Sequence, residues 1–294
     1  MMTVTFIGFG EAGAILAAGL AQRAEVTIWD RKLTQQETRR ETERKAAACG
    51  VRVARSMSEA LQDARLIFSA VTAAESLNVA MAAATDLRDG QTFLDLNSVS
   101  PATKLAAAEL IEAAGAAYID VAVMAPVPPK GLHTPLLIGG PTAESVDVEL
   151  QSLGLNSRYR SREVGEASAI KMCRSVMIKG LEALTTECLG AARAYGVEQA
   201  VLESLHASFP SLGWDGELPD YLISRVAEHG QRRAEEMREV VQTLKDANIA
   251  PTMSEGIVST QQGLADALSQ HGLRYAQLMP FSWRQTLDRL RVPR

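Results

Sequence analysis

Lys171 stands in the run GEASAIKMCRSVMIKGLEAL, residues 165–184. A lysine so placed can exchange a proton with a hydroxyl or carbonyl oxygen when it sits in a dry site. At about 100° per residue, Lys171, Ser175, Ile178 and Glu182 share one stripe of a helix. Arg174 and Lys179 flank that stripe, and Lys179 carries no assigned role. Ala169, Cys173, Val176, Gly180 and Leu184 cover the opposite side, with Met172 and Met177 at its margins. The pattern predicts a mostly hidden helix that turns its narrow polar stripe toward a cleft or solvent. Spacing alone leaves two readings open: a lysine that snorkels to water and does nothing, and a lysine that reaches reacting atoms.

A second set of residues suits phosphate chemistry. Gly8, Gly10 and Gly13 have the G-x-G-x-x-G spacing, between the apolar run VTFIG (4–8) and a helical run at 11–22. That strand-to-helix context is the one in which the spacing binds a dinucleotide. The first glycine allows the turn, the second admits the pyrophosphate, and the third lets helix pack on strand. The free N–H groups at the helix start then meet the phosphates. Asp30 ends the next strand, 22 residues after Gly8. Its carboxylate suits the ribose 2′-OH and repels a 2′-phosphate, which favours NAD. Arg31 and Lys32 follow at once and suit that phosphate, so NADP stays open. The expected cofactor contacts are Gly8, Phe9, Gly10, Glu11, Ala12, Asp30 and Arg31, with Val71 and Thr72 at the end of the 65–71 strand.

The elements that must position these groups follow from periodicity. Strands are expected at 4–8, 25–30, 51–54, 65–71, 92–97, 117–123 and 135–140, with helices at 11–22, 34–48, 74–84 and 101–115 between them. Such alternation implies right-handed crossovers and a mostly parallel sheet. From about residue 164 the apolar pattern turns to the helical period. Helices are expected there at 166–195, 198–208, 216–246, 254–269 and 280–291. The division falls at 163/164: an α/β dinucleotide-binding domain (1–163), then an all-helical domain (164–294) that begins with a long helix.

Composition narrows the partners. The chain has 294 residues, 47% hydrophobic and 22% charged, with a net charge of −5 and no basic stripe, which argues against nucleic acid. No apolar run approaches the ~20 residues of a membrane span, and the N-terminus lacks the cationic start of a signal peptide. Cys49, Cys173 and Cys188 are few and scattered, which suits a reducing, cytoplasmic setting. The four histidines show no ligand spacing, so no metal is expected.

The glycine turn, the long helix and two further stretches resemble the β-hydroxyacid dehydrogenase superfamily, which includes 3-hydroxyisobutyrate and 6-phosphogluconate dehydrogenases. The resemblance is strongest over 1–185, and HGQRRAEEM (229–237) resembles a less characterised phosphogluconate dehydrogenase-like branch. It implies an N-terminal Rossmann domain joined by a long interdomain helix to an all-α C-terminal domain for substrate binding and dimerisation. DLNSVSP (95–101) matches the motif that lies beside nicotinamide and substrate, so Asn97 and Ser98 inherit that role. DVAVMAP (120–126) stands where the family has a Ser-Gly-Gly carboxylate site. Met124, Ala125 and Pro126 replace it, and Pro126 has no N–H to offer. A reshaped, more apolar pocket with Met124 in its wall is expected.

GEASAIKMCRS places Lys171 on the family's catalytic lysine, with Arg174 and Ser175 in place of two asparagines. Arg174 can grip a carboxylate with two prongs. His229 and Arg232 share a face of a later helix as substrate contacts, with Arg233 the adjacent option. Together these imply an NAD(P)-dependent dehydrogenase acting on a small, anionic hydroxy acid or related alcohol, with Lys171 as general acid/base. Wide apolar arcs in the helical half suggest a homodimer. An imine or ketimine reductase and a non-catalytic dinucleotide-binding protein are the rival readings.

Overall fold

The structure, a computed structural model, describes residues 1–291. The first half alternates as expected: β1 (Thr3–Ile7), α1 (Glu11–Leu20), β2 (Glu25–Trp29), α2 (Gln36–Ala48), β3 (Arg52–Val53), α3 (Met57–Leu61), β4 (Leu66–Ser69), α4 (Ser76–Ala84), β5 (Thr92–Asp95), α5 (Pro101–Ala113) and β6 (Ala117–Val123). Then come β7 (Leu136–Gly139), α6 (Ala143–Ser152) and β8 (Ser157–Ser161). The strands form one sheet in the order 3-2-1-4-5-6-7-8, parallel throughout except between β6 and β7. β7 runs antiparallel because residues 124–135 return the chain without an α-helical crossover.

Every residue of β4 and β5 is buried, as in a parallel sheet covered on both faces. Alternate residues feed two cores. Phe6, Phe68 and Leu94 enter one, and Ile7, Ile67, Phe93 and Tyr118 the other. Phe6 and Phe68 stack with centroids 4.8 Å apart. Strand order reverses between β1 and β4, and this opens a crevice at the strands' C-terminal ends.

Three elements escape the sequence reading: α3, α6 and the edge strand β8. β8 reads SRYRS, with no apolar run to mark it. Its pairing with β7 comes from register rather than composition.

The remaining helices are α7 (Glu166–Tyr195), α8 (Glu198–Ser208), α9 (Leu218–Asp246), α10 (Thr252–Gln270) and α11 (Trp283–Arg291). Leu189, Trp214, Ile223, Val226, Leu268 and Trp283 form their core. At Gly230 the backbones of α9 and α10 approach so closely that a Cβ would sit 2.4 Å from the Gln261 carbonyl oxygen. The chain divides into two compact units at Met172/Cys173, beyond the expected 163/164. The opening turns of α7 group with the sheet because Gly165 and Ser168 N–H donate to Asp120 Oδ2 on β6 at 3.1 and 3.0 Å.

The long helix differs from expectation in which face it hides. Ser175, Lys179, Glu182 and Thr186 are buried, whereas Met177, Leu181 and Leu184 are exposed. Two of these polar groups, Lys179 and Glu182, are paired inside the helical unit with charged side chains of α9. Lys179 therefore takes part in the structure: its ammonium lies 2.8 Å from Glu236, and its side chain is 7% exposed.

Candidate active site

The turn after β1 shows why each glycine is there. Gly8 has φ +95°, and a Cβ on it would lie 2.4 Å from Ala70 O, in the loop after β4. A Cβ on Gly13 would lie 2.4 Å from Gly8 O. Around Gly10 a Cβ would meet nothing within 4 Å. The first intrahelical bond of α1 runs from Ala14 N–H to Gly10 O, and no side chain caps this helix start. The N–H groups of Glu11, Ala12 and Gly13 precede that ladder. Open space at Gly10 and an uncapped helix start fit a dinucleotide pyrophosphate.

Asp30 is buried beside this turn. Its Oδ2 accepts from Phe9 N–H at 2.6 Å and its Oδ1 from Lys32 N–H at 2.9 Å. Each oxygen keeps accepting capacity for a ribose hydroxyl. Phe9, by contrast, has a buried side chain and an N–H already held by Asp30, so it shapes the turn and offers no donor. Arg31 is exposed and pairs with Glu75 at 2.9 Å. Lys45, in the helical run expected at 34–48, is not among the expected contacts. Its ammonium lies 3.2 Å from Gly10 O and over the Phe9 ring.

The Asn97 side chain is engaged within the protein. Its Nδ2 donates to Ser69 Oγ at 3.0 Å and Ser76 Oγ at 3.3 Å, and its Oδ1 accepts from Val71 N–H at 2.7 Å. Both amide hydrogens are thus used inside the protein, so the side chain braces the Val71–Thr72 loop and offers no donor to a substrate. Ser98, the next residue, is half-buried and accepts from Lys171 Nζ at 2.5 Å. The expected general acid/base, Lys171, and the expected substrate contact, Ser98, 73 residues apart in sequence, thus touch within the first unit.

Arg174, in the other unit, is exposed. There the structure separates His229 from Arg232. Arg232 is exposed and pairs with Glu236 at 2.5 Å. Arg233 turns inward, donating to both Glu182 oxygens at 2.7 and 2.6 Å, and Gln261 donates to Glu182 at 3.1 Å. Burial raises the Glu182 pKa against the pull of Arg233, and burial lowers that of Arg233. Burial, then Arg225, Arg232 and Arg233, push His229 down to about 4, so its imidazole is neutral at pH 7. His229 Nε2 lies 3.2 Å from Glu228. The adjacent option, Arg233, is the arginine that faces the helical core.

Residues 3–146 match the NAD-binding domain of 6-phosphogluconate dehydrogenase, and residues 192–264 match a domain of unknown function, DUF1932. A conserved hypothetical protein from Sinorhizobium meliloti 1021 is 36% identical, with 99% of this chain and 97% of that one covered and a TM-score of 0.75. A conserved protein of unknown function, described as structurally similar to 3-hydroxyacid dehydrogenases, is 34% identical over 92% of this chain and 99% of its own, with a TM-score of 0.70. The chain belongs to the hydroxyacid dehydrogenase superfamily. The 3-hydroxyisobutyrate dehydrogenase of Mycobacterium tuberculosis shares its fold, with a TM-score of 0.71 at 16% identity over 99% of this chain and 100% of that one.

The segment after β6 is where the sequence lacks the Ser-Gly-Gly that the resemblance implies. Met124 is half-buried, and its N–H donates to Pro135 O at 2.9 Å. Pro126 is exposed and has no N–H. Gly139 and Gly140 serve packing: a Cβ on either would lie 2.8 Å from a backbone oxygen, of Glu163 and Tyr118 respectively. Among the described residues no helix is long and apolar enough to cross a membrane.

Proposed function

We propose that this NAD(P)-dependent oxidoreductase interconverts a hydroxyl and a carbonyl on a small anionic hydroxy acid or related alcohol, with Lys171 as the general acid/base. The observation that carries this is the Lys171–Ser98 contact in the unit that holds the glycine turn. The bound nicotinamide supplies or takes the hydride. Gly10, Glu11 and Ala12 would hold its pyrophosphate and Asp30 its adenosine ribose. Lys171 accepts the proton of the substrate hydroxyl in oxidation and returns it in reduction, and Ser98 Oγ fixes where that amine points. NAD is favoured because Asp30 stands at the ribose position while Arg31 is tied to Glu75. Three free cysteines suit the cytoplasm.

We also infer a homodimer through α7. The exposed row Met177, Leu181, Leu184, Cys188 and Tyr195 has spacings suited to helix-on-helix packing, and a second copy carries the same row. Leu184→Glu should convert a dimer to a folded monomer in sedimentation, and a monomeric wild type refutes the interface.

The deciding experiment is a screen of hydroxy acids and aryl or sugar alcohols with both cofactors, repeated with Lys171→Met. Turnover should fall at least ~100-fold in the variant, the scale of acid–base help, with cofactor affinity nearly unchanged. Undiminished turnover sinks the lysine role. A cyclic imine turned over faster than every hydroxy acid would overturn the substrate class.

A further inference from the structure

Lys104 on α5 is a lysine with a fully buried side chain that the proposed chemistry does not use. Its Nζ donates to the Asp95 main-chain oxygen at 2.6 Å. The same ammonium lies 3.3 Å from Asp95 Oδ1 and 3.4 Å from Asp120 Oδ1, and both carboxylates are as buried as the lysine. A dry core does not need such a cluster for stability alone, since apolar residues of similar volume are often as stabilising. What distinguishes it is the work left to the other carboxylate positions.

Asp95 sits at the end of β5, just before the loop that carries Ser98. Its Oδ1 accepts from Asn97 N–H at 2.9 Å, and its Oδ2 accepts from Ser76 Oγ at 3.2 Å and Tyr118 Oη at 2.8 Å. Burial and the neighbouring carboxylates raise the Tyr118 pKa well above that of a free phenol, so the phenol keeps its proton and donates. Asp120 sits on β6. Its Oδ2 accepts from Gly165 and Ser168 N–H, at the start of the helix that carries Lys171 one turn later. The starts of α5 and α7 also lie close, since a Cβ added to Gly165, the residue before α7, would fall 3.3 Å from Pro101 Cβ. One ammonium therefore joins the carboxylate that holds the Ser98 loop to the carboxylate that holds the Lys171 helix.

We propose that Lys104 is a positioning residue: by clamping Asp95 to Asp120 it sets the placement of Lys171 against Ser98, without itself touching substrate or cofactor. The catalytic consequence rests on Lys171 being the proton-exchanging group; the geometric one does not. The effect has leverage because a misplacement of about 1 Å can cost on the order of 100-fold in rate.

The test compares Lys104→Met, Asp120→Asn and Lys104→Arg with wild type, each first checked for a cooperative thermal transition. Lysine labelling by trace acetic anhydride across pH, read by peptide mass spectrometry, reports on Lys171 without any substrate, with the exposed Lys130 as reference. In whichever of Lys104→Met and Asp120→Asn remains folded, the Lys171 labelling profile should change several-fold while Lys130 does not move, and Lys104→Arg should restore it in part. Turnover should fall ~10- to 100-fold, mainly in kcat, with cofactor affinity kept. An unchanged Lys171 profile in a folded variant overturns the proposal. So does failure of both variants to fold, because Lys104 would then serve the fold. Normal turnover in Lys171→Met alongside a shifted labelling profile would instead reject the acid–base reading and leave the clamp standing.

Discussion

Alanine at each of the three turn glycines should separate folding from ligand binding. Gly8→Ala forces a side chain into a left-handed conformation, at about 1–2 kcal/mol, and sets its Cβ against the Ala70 carbonyl. Gly13→Ala keeps its dihedrals but sets a Cβ against the Gly8 carbonyl, an overpacking worth about 1–3 kcal/mol. Gly10 has φ −69° and open space, so alanine there should change unfolding free energy by no more than about 0.5 kcal/mol. The added methyl occupies the space that a pyrophosphate needs. Cofactor binding should weaken at least ~10-fold, or about 1.4 kcal/mol. Urea unfolding gives the first quantity and calorimetric titration of NAD and NADP the second. If Gly10→Ala unfolds as readily as the other two, or binds cofactor as well as wild type, the assignment of space to ligand is wrong.

Other perturbations test the charges. Asp30→Ala should weaken NAD more than NADP in the same titrations, and equal losses would remove the ribose role. Glu182→Gln should cost about 3–5 kcal/mol in urea unfolding by leaving Arg233 buried without its counter-charge. Because burial works against the charged form of both partners, Glu182→Met with Arg233→Met should cost less than either change alone, and an additive loss refutes that reasoning. For His229 the folded pKa, about 4, lies below the unfolded 6.5. The unfolded chain therefore takes up the proton first as pH falls, and stability declines from about pH 6.5 to about pH 4. The loss is about 2–3 kcal/mol for this half-buried ring. His229→Gln should flatten that decline relative to wild type, and an identical pH dependence in the variant would show that the imidazole is not responsible.

Local pattern carried much of this protein. The bounds of α7, the glycine turn and the strand-helix alternation are short-range, written in spacing and in the burial period of each segment. β8 was missed because an edge strand of Ser, Arg and Tyr carries no apolar signal. Lys171 and Ser98 were legible only as members of two separate motifs, and their contact required the sheet to bring them together.

What the sequence determined by itself was most of the helices and strands, α3, α6 and β8 excepted, and which residue types could serve a redox cofactor, because helix and turn preferences depend on neighbours a few residues away. Tertiary structure decided which faces and which polar atoms are free. It buried the polar stripe of α7 against α9 and left the apolar row exposed. It turned Arg233 inward and Arg232 outward, spent the Asn97 amide on the Val71 loop, and placed Lys104 between two carboxylates. Each of these outcomes depends on partners from 26 to 57 residues away or from another strand. A buried charge or amide settles wherever its counterpart lies, and no local spacing encodes that.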